Sequence, residues 1–214
     1  MEPEFWIDSW QERGSKTSFH RPDIHPYVIK HTPADYLAGK RVFVPLAGKS
    51  NDLDWFRRHA AYTTGVELVD SPIREFFDEH DLAYSVHDGR RYSVDKMAFL
   101  CADLFHLSRD EVGPVDLIYD RASLIAFPYD MRMRYLDKID ELSDPGTQIL
   151  LITLEYEPRM ETPPFSVTPD EVSEYYAERY AIEHIEWPDV PDHKMKYKFG
   201  LDFIREHAFI LTRR

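Results

Sequence analysis

A single cysteine, Cys101, stands in the 214 residues, so no internal disulfide can form, and no Cys-x-x-Cys pair or Cys/His set with structural-zinc spacing is present. Basic residues are also in deficit: 26 Lys and Arg face 39 Asp and Glu, a formal charge of −13. Such a field repels a phosphate backbone, and no basic cluster interleaved with aromatics overrides it, so nucleic acid is not an expected partner. No uninterrupted apolar run reaches the roughly 18 residues of a membrane span. The opening Met1-Glu-Pro-Glu-Phe-Trp6 lacks the basic and apolar regions of a secretory signal. A soluble cytoplasmic monomer without a membrane partner is expected.

What remains is the composition of a folded domain, 43% hydrophobic and 14% aromatic. The length suits one α/β domain with an extension. Residues 1–38 read as an N-terminal helical extension, in which Phe5, Trp6 and Trp10 share a helix face and the stretch from Gly14 to Pro26 is loop-rich. From residue 39 to 214 strands and helices alternate. Strands are expected near 41–46, 63–67, 97–101, 115–119, 147–155, 180–187 and 206–212, with helices near 51–60, 71–80, 130–142 and 168–178. This alternation argues for a mostly parallel sheet covered by helices on both faces. Asp88-Gly89 reads as a hairpin turn inserted before the third main strand. His193 to Phe199 reads as a loop, after which the last two strands pair antiparallel at the sheet edge.

Chemistry concentrates at the first strand. The apolar run Val42 to Leu46 breaks at Ala47-Gly48, and Glu67 ends a second β-branched run nineteen residues beyond Gly48. An acidic residue about 20 positions after the first strand-turn is where Rossmann-like sheets bind ribose hydroxyls. The turn has one glycine where a dinucleotide fingerprint has three, which argues against NAD. A phosphate loop needs a glycine five positions before Gly48, and Phe43 stands there. A cofactor with a ribose but no phosphate fits better, and S-adenosylmethionine is one. An ordinary strand-loop-helix turn with no ligand is the plain alternative.

Ligands of open α/β sheets sit beyond the carboxyl ends of the strands. Arg121, directly after Leu117-Ile-Tyr-Asp120, can clamp an anionic group there or pair with Asp120 or a neighbouring carboxylate. Asp103 can face an adenine amino group or remain a solvated loop aspartate. Trp6 and Trp10 form either core packing or a ligand cover. Cys101, inside Phe99-Leu-Cys-Ala102, reads as an inert buried hydrophobe, and the ten histidines show no metal-ligand spacing.

Together these residues resemble the thiopurine S-methyltransferase family over nearly the whole chain. The matching stretches are Trp6-x-x-x-Trp10, Lys16-Thr-Ser-Phe-His20, Phe43-Val-Pro-Leu-Ala-Gly-Lys-Ser50, Gly65-Val-Glu67, Arg74-Glu-Phe-Phe77, Asp120-Arg121 with Pro128 beyond, Pro163-Pro-Phe-Ser-Val167, Gly200-Leu-Asp-Phe-Ile204 and Phe209-Ile-Leu-Thr212. The resemblance implies a class I methyltransferase fold with a seven-stranded Rossmann-like sheet, its last strand antiparallel, and S-adenosylmethionine as methyl donor. It implies cofactor contacts from Trp6, Trp10, Phe19, Leu46, Gly48, Glu67, Asp103, Leu104 and Arg121, with Phe19 and Arg121 also touching the acceptor. The expected reaction is in-line methyl transfer to a small thiol without a covalent enzyme intermediate or a dedicated general base. The alternatives are a methyltransferase for halide, thiocyanate or an inorganic selenium or tellurium species, and a non-catalytic nucleoside-binding protein. Two positions depart from the family: Ala47 replaces its usual cysteine, and Met195, between Lys194 and Lys196, stands where an arginine is frequent.

Overall fold

The computed structural model describes residues 3–11 and 21–214, and for Pro3–Phe5 and Gln11 the backbone alone. It divides into two compact units, Met1–Leu117 and Ile118–Arg214. No helix of the described residues is long and apolar enough to cross a membrane.

The first unit runs α1 (Pro3–Gln11), α2 (Pro26–His31), α3 (Ala34–Leu37), β1 (Arg41–Val44), α4 (Asp52–His59), β2 (Tyr62–Glu67), α5 (Asp70–Glu79), β3 (Ser85–His87), β4 (Arg91–Val94), β5 (Met97–Cys101) and α6 (Arg109–Val112). Its strand order is β3-β4-β5-β2-β1. β2 pairs parallel with both β1 and β5. Being flanked on both sides, β2 is buried along nearly its whole length, as a central parallel strand should be. Gly65 sits at its middle because a Cβ there would come within 2.9 Å of the Phe99 ring. That ring meets Phe76 and Phe77 edge-on at 5.3 and 5.6 Å, each pair adding about 0.5–1.5 kcal/mol beyond its buried area. The anticipated hairpin is present: Asp88 and Gly89 both have positive φ, 50° and 69°, the conformation of a two-residue turn that matches strand twist. β4 pairs antiparallel with β5. This hairpin brings the strands among the described residues to nine, where seven were expected.

The second unit opens within β6 (Leu117–Arg121), at Ile118, and continues through α7 (Tyr129–Leu142), β7 (Gln148–Glu157), α8 (Pro169–Tyr176), β8 (Tyr180–Glu186), α9 (Lys194–Phe199) and β9 (Phe203–Arg213), in strand order β6-β7-β9-β8. β9 runs antiparallel to β7 through ten pairs, from Gln148 with Thr212 to Glu157 with Phe203, and antiparallel to β8 at the edge, as expected. The segment read as a loop at 193–199 is helix α9 instead. Its ends explain it: the His193 ring accepts from the Met195 amide, Met195 is buried, and Gly200 at φ 64° caps the helix in the left-handed region. Glu155 on β7, His207 on β9 and His184 on β8 form a hydrogen-bonded chain across this ladder. His207 Nε2 lies 2.8 Å from Glu155 Oε2, and His207 Nδ1 lies 3.0 Å from His184 Nε2.

Candidate functional site

After β1 the backbone turns sharply. Leu46 (φ 47°) and Gly48 (φ 53°) are both left-handed, and for Leu46 that conformation costs about 1–2 kcal/mol. The loop is held against β2 by the Ala47 amide, which donates to the Val66 carbonyl at 2.8 Å. A Cβ on Gly48 would stand 3.3 Å from Cζ2 of Trp10. The α1 indole thus lies over this glycine. Trp6, one turn earlier, is half-buried. Phe19 lies outside the described residues.

Beneath the loop, Glu67 ends β2 with only 6% of its surface exposed. Its Oε2 accepts from the Gly48 amide at 3.0 Å and its Oε1 from the Val69 amide at 3.1 Å. Among the described residues no cation pairs with it. Burial pushes its pKa up to about 7, against the opposing pull of the amides. The Leu68 amide bonds to Glu67 as well, so of a carboxylate's roughly four acceptor sites about one stays open to a hydroxyl donor.

The neighbouring Gly-Lys-Ser serves the fold. Lys49 Nζ is tied to α5 by Glu75 at 2.9 Å and Glu79 at 2.5 Å. Two residues that the sequence reading passed over then fasten the incoming chain. Asn51 Nδ2 donates to the carbonyls of Arg21 and Pro22, and Asp52, 1% exposed, accepts from the His25 amide at 2.6 Å. Nothing in the local pattern of Asn51-Asp52 distinguishes them from an ordinary helix start.

β5 ends beside β2, with Cys101 in register with Glu67 and the Ala102 amide donating to the Glu67 carbonyl at 2.9 Å. Asp103 caps the short 3-10 turn Leu104–His106, its Oδ1 accepting from the Phe105 amide at 2.9 Å. Leu104 is buried in the core. Cys101 is half-buried, not fully enclosed as expected, because it is the last residue of its strand. Burial and the charges of Asp70 and Glu67 raise its pKa, which keeps the thiol protonated and unreactive.

In the second unit Arg121 is the last residue of β6 and half-buried. The Asp120 carboxylate has other partners than Arg121: it accepts from Tyr135 Oη at 2.6 Å and from the Leu124 amide at 3.1 Å. The sequence offered no histidine and carboxylate at base-forming spacing, yet His207 and Glu155 meet across β9 and β7. Among the described residues, no group of three His, Cys, Asp or Glu side chains is arranged to hold a metal ion.

The sequence model of the thiopurine S-methyltransferase (TPMT) family matches residues 1–214. The chain belongs to the thiopurine S-methyltransferase family. Family members similar to it include the thiopurine S-methyltransferases of Azotobacter vinelandii, 37% identical over all of both chains, and of Pseudomonas fluorescens, 35% identical over all of both. The fold is that of class I methyltransferases. The N-methyltransferase NodS from Bradyrhizobium japonicum, solved with S-adenosyl-L-homocysteine, superposes with a TM-score of 0.62 at 11% identity, over 96% of this chain and 97% of that one.

Proposed function

We propose that the chain transfers the methyl group of S-adenosylmethionine to the sulfur of a small thiol. One observation carries the cofactor assignment: a buried carboxylate, Glu67, held by the Val69 amide and by the amide of Gly48, the glycine that the Trp10 ring covers. A ribose hydroxyl suits this carboxylate, since it donates to an oxygen that burial has stripped of water. The tie of Lys49 to Glu75 and Glu79 leaves the loop ill-suited to a phosphate, in keeping with a cofactor that has none. When bound, S-adenosylmethionine supplies an electrophilic methyl on a sulfonium.

The chain's own residues then bind, orient and exclude water. Glu67 holds the ribose, Gly48 and Leu46 shape the loop around it, Asp103 and Leu104 border the adenine, and Trp6, Trp10 and Phe19 cover the cofactor. Arg121 orients an anionic acceptor through charge-assisted hydrogen bonds. A thiol of low pKa is already partly thiolate at neutral pH, so alignment and desolvation suffice and no general base is needed.

The test is a panel of thiopurines, aromatic and aliphatic thiols, catechols, amines, iodide and selenite, each incubated with the enzyme and S-adenosylmethionine and read by mass spectrometry. S-methyl products whose rates rise with pH through each thiol's own pKa are expected. Methylated catechols or amines beside inert thiols would overturn the assignment, and methylation of iodide or selenite alone would move it to the inorganic alternative.

A further inference from the structure

We propose that Asp120 is a positioning residue for methyl transfer, its carboxylate fixing the turn that presents Arg121. The inference rests on the reading of Arg121 as the residue that engages the acceptor. Asp120 is 1% exposed and no cation accompanies its carboxylate among the described residues. A purely apolar residue would fill such a place at less desolvation cost. The carboxylate instead bonds forward onto the turn that follows Arg121: it accepts from the Leu124 amide at 3.1 Å and is also bonded by the Ser123 amide. Its other oxygen accepts from Tyr135 Oη at 2.6 Å, anchoring the turn to α7.

The turn needs such fastening. Ala122, between Arg121 and Ser123, has φ 66°, a left-handed conformation that a Cβ disfavours. Strain of this kind persists where surrounding contacts over-determine the backbone, and it concentrates at functional sites. A second tie comes from the far side, where the Phe165 amide donates to the Ile125 carbonyl at 2.7 Å. The backbone that follows Ala122 is thus clamped from Ser123 to Ile125, and the direction in which Arg121 leaves β6 is fixed by its immediate neighbour in sequence.

A double-mutant cycle in the full chain decides the matter. Tyr135→Phe removes one hydroxyl and keeps the ring, so it reports even if Asp120→Asn fails to fold. The acceptor is a carboxylated aromatic thiol, and affinity for S-adenosylhomocysteine is measured alongside. Tyr135→Phe is expected to raise the acceptor KM about ten-fold, short of the roughly 100-fold that a misplacement near 1 Å brings. It should leave kcat and S-adenosylhomocysteine affinity within about two-fold, the margin of an uncoupled site. In an Arg121→Ala background the same substitution should have no further effect on KM. If Arg121→Ala raises KM and the Tyr135→Phe loss persists in full on top of it, Asp120 is merely structural and the inference falls while the reading of Arg121 stands. If Arg121→Ala leaves KM unchanged, that reading fails and takes the inference with it.

Discussion

Glu67 and Asp120 are two buried carboxylates at the ends of strands, one in each unit, and each lacks a cationic partner among the described residues. Burial raises both pKa values, to about 7 for Glu67 and about 6 for Asp120. Their partners set them apart. Glu67 is held by the Gly48 amide of the β1–α4 loop, far away in sequence, as well as by the Val69 amide of its own turn, whereas Asp120 is closed by a tyrosine hydroxyl and by the amides of its own turn. On the reading proposed above, the same desolvated group receives a ligand hydroxyl in one place and clamps backbone in the other. The lesson is that a perturbed pKa marks a buried acid, and the donors around it determine its use.

The sharpest probe of that contrast is pH. Each group has a folded pKa above its unfolded value, so its stabilising contribution is complete below the unfolded pKa and is lost as pH rises through the folded one. For Glu67, from 4.5 to about 7, this amounts to roughly 3 kcal/mol at about 1.4 kcal/mol per unit. Urea melts at pH 5 and pH 8 should show Glu67→Gln losing less stability than the parent across that window, and an identical loss would refute the shift. S-adenosylhomocysteine binding should release a proton near pH 6–7 in the parent and none in Glu67→Gln. The same substitution should weaken ligand binding by about 1.5–3 kcal/mol.

Gly48→Ala probes the donor side of the same carboxylate. It places a Cβ at φ 53° and 3.3 Å from Trp10, so a loss of about 1–2 kcal/mol in stability is expected, with weaker S-adenosylhomocysteine binding. Unaltered melting and affinity would show that the loop yields and that Trp10 does not pack firmly on it. Least of all should change in Cys101→Ala. The thiol is half-buried, its pKa is raised and its Sγ makes only a 3.8 Å contact to the Leu68 carbonyl. Turnover within two-fold of the parent is anticipated, as for a group with no part in the chemistry; abolished turnover in a folded variant would reinstate a covalent route.

Features set by local sequence were legible beforehand. The interval of nineteen residues between Gly48 and Glu67 corresponds to a real hydrogen bond, the Asp88-Gly89 turn forms its hairpin, and the closing strands pair antiparallel. Helix α9 was not legible, because Lys194-Met-Lys-Tyr-Lys-Phe199 alternates like a strand and becomes helical through its caps at His193 and Gly200. The union of Asp120 with Tyr135 across fifteen residues, the clasp of Asn51 and Asp52 on residues 21–25, and the encounter of His207 with Glu155 across fifty-two depend on packing and register. Strand register follows from the whole ladder of pairs and is not encoded in any one segment.

The chain of side chains from Glu155 through His207 to His184 ends in another hydrogen bond, to the Glu186 backbone, one that favours the protonated ring. The row therefore has three links and an acceptor at each end, a carboxylate and a carbonyl. Two neutral imidazoles bring only two N–H protons. Desolvation lowers both rings' pKa values, even though the edge of His184 reaches solvent, so at neutral pH one link lacks its proton. A single proton taken up at lower pH completes all three at once and belongs to the pair, not to either ring. The outer edge of the β8–β9 ladder is in this sense one proton short of closure, and His184, with Trp187 packed 5.1 Å from its ring, is where that deficit meets the solvent.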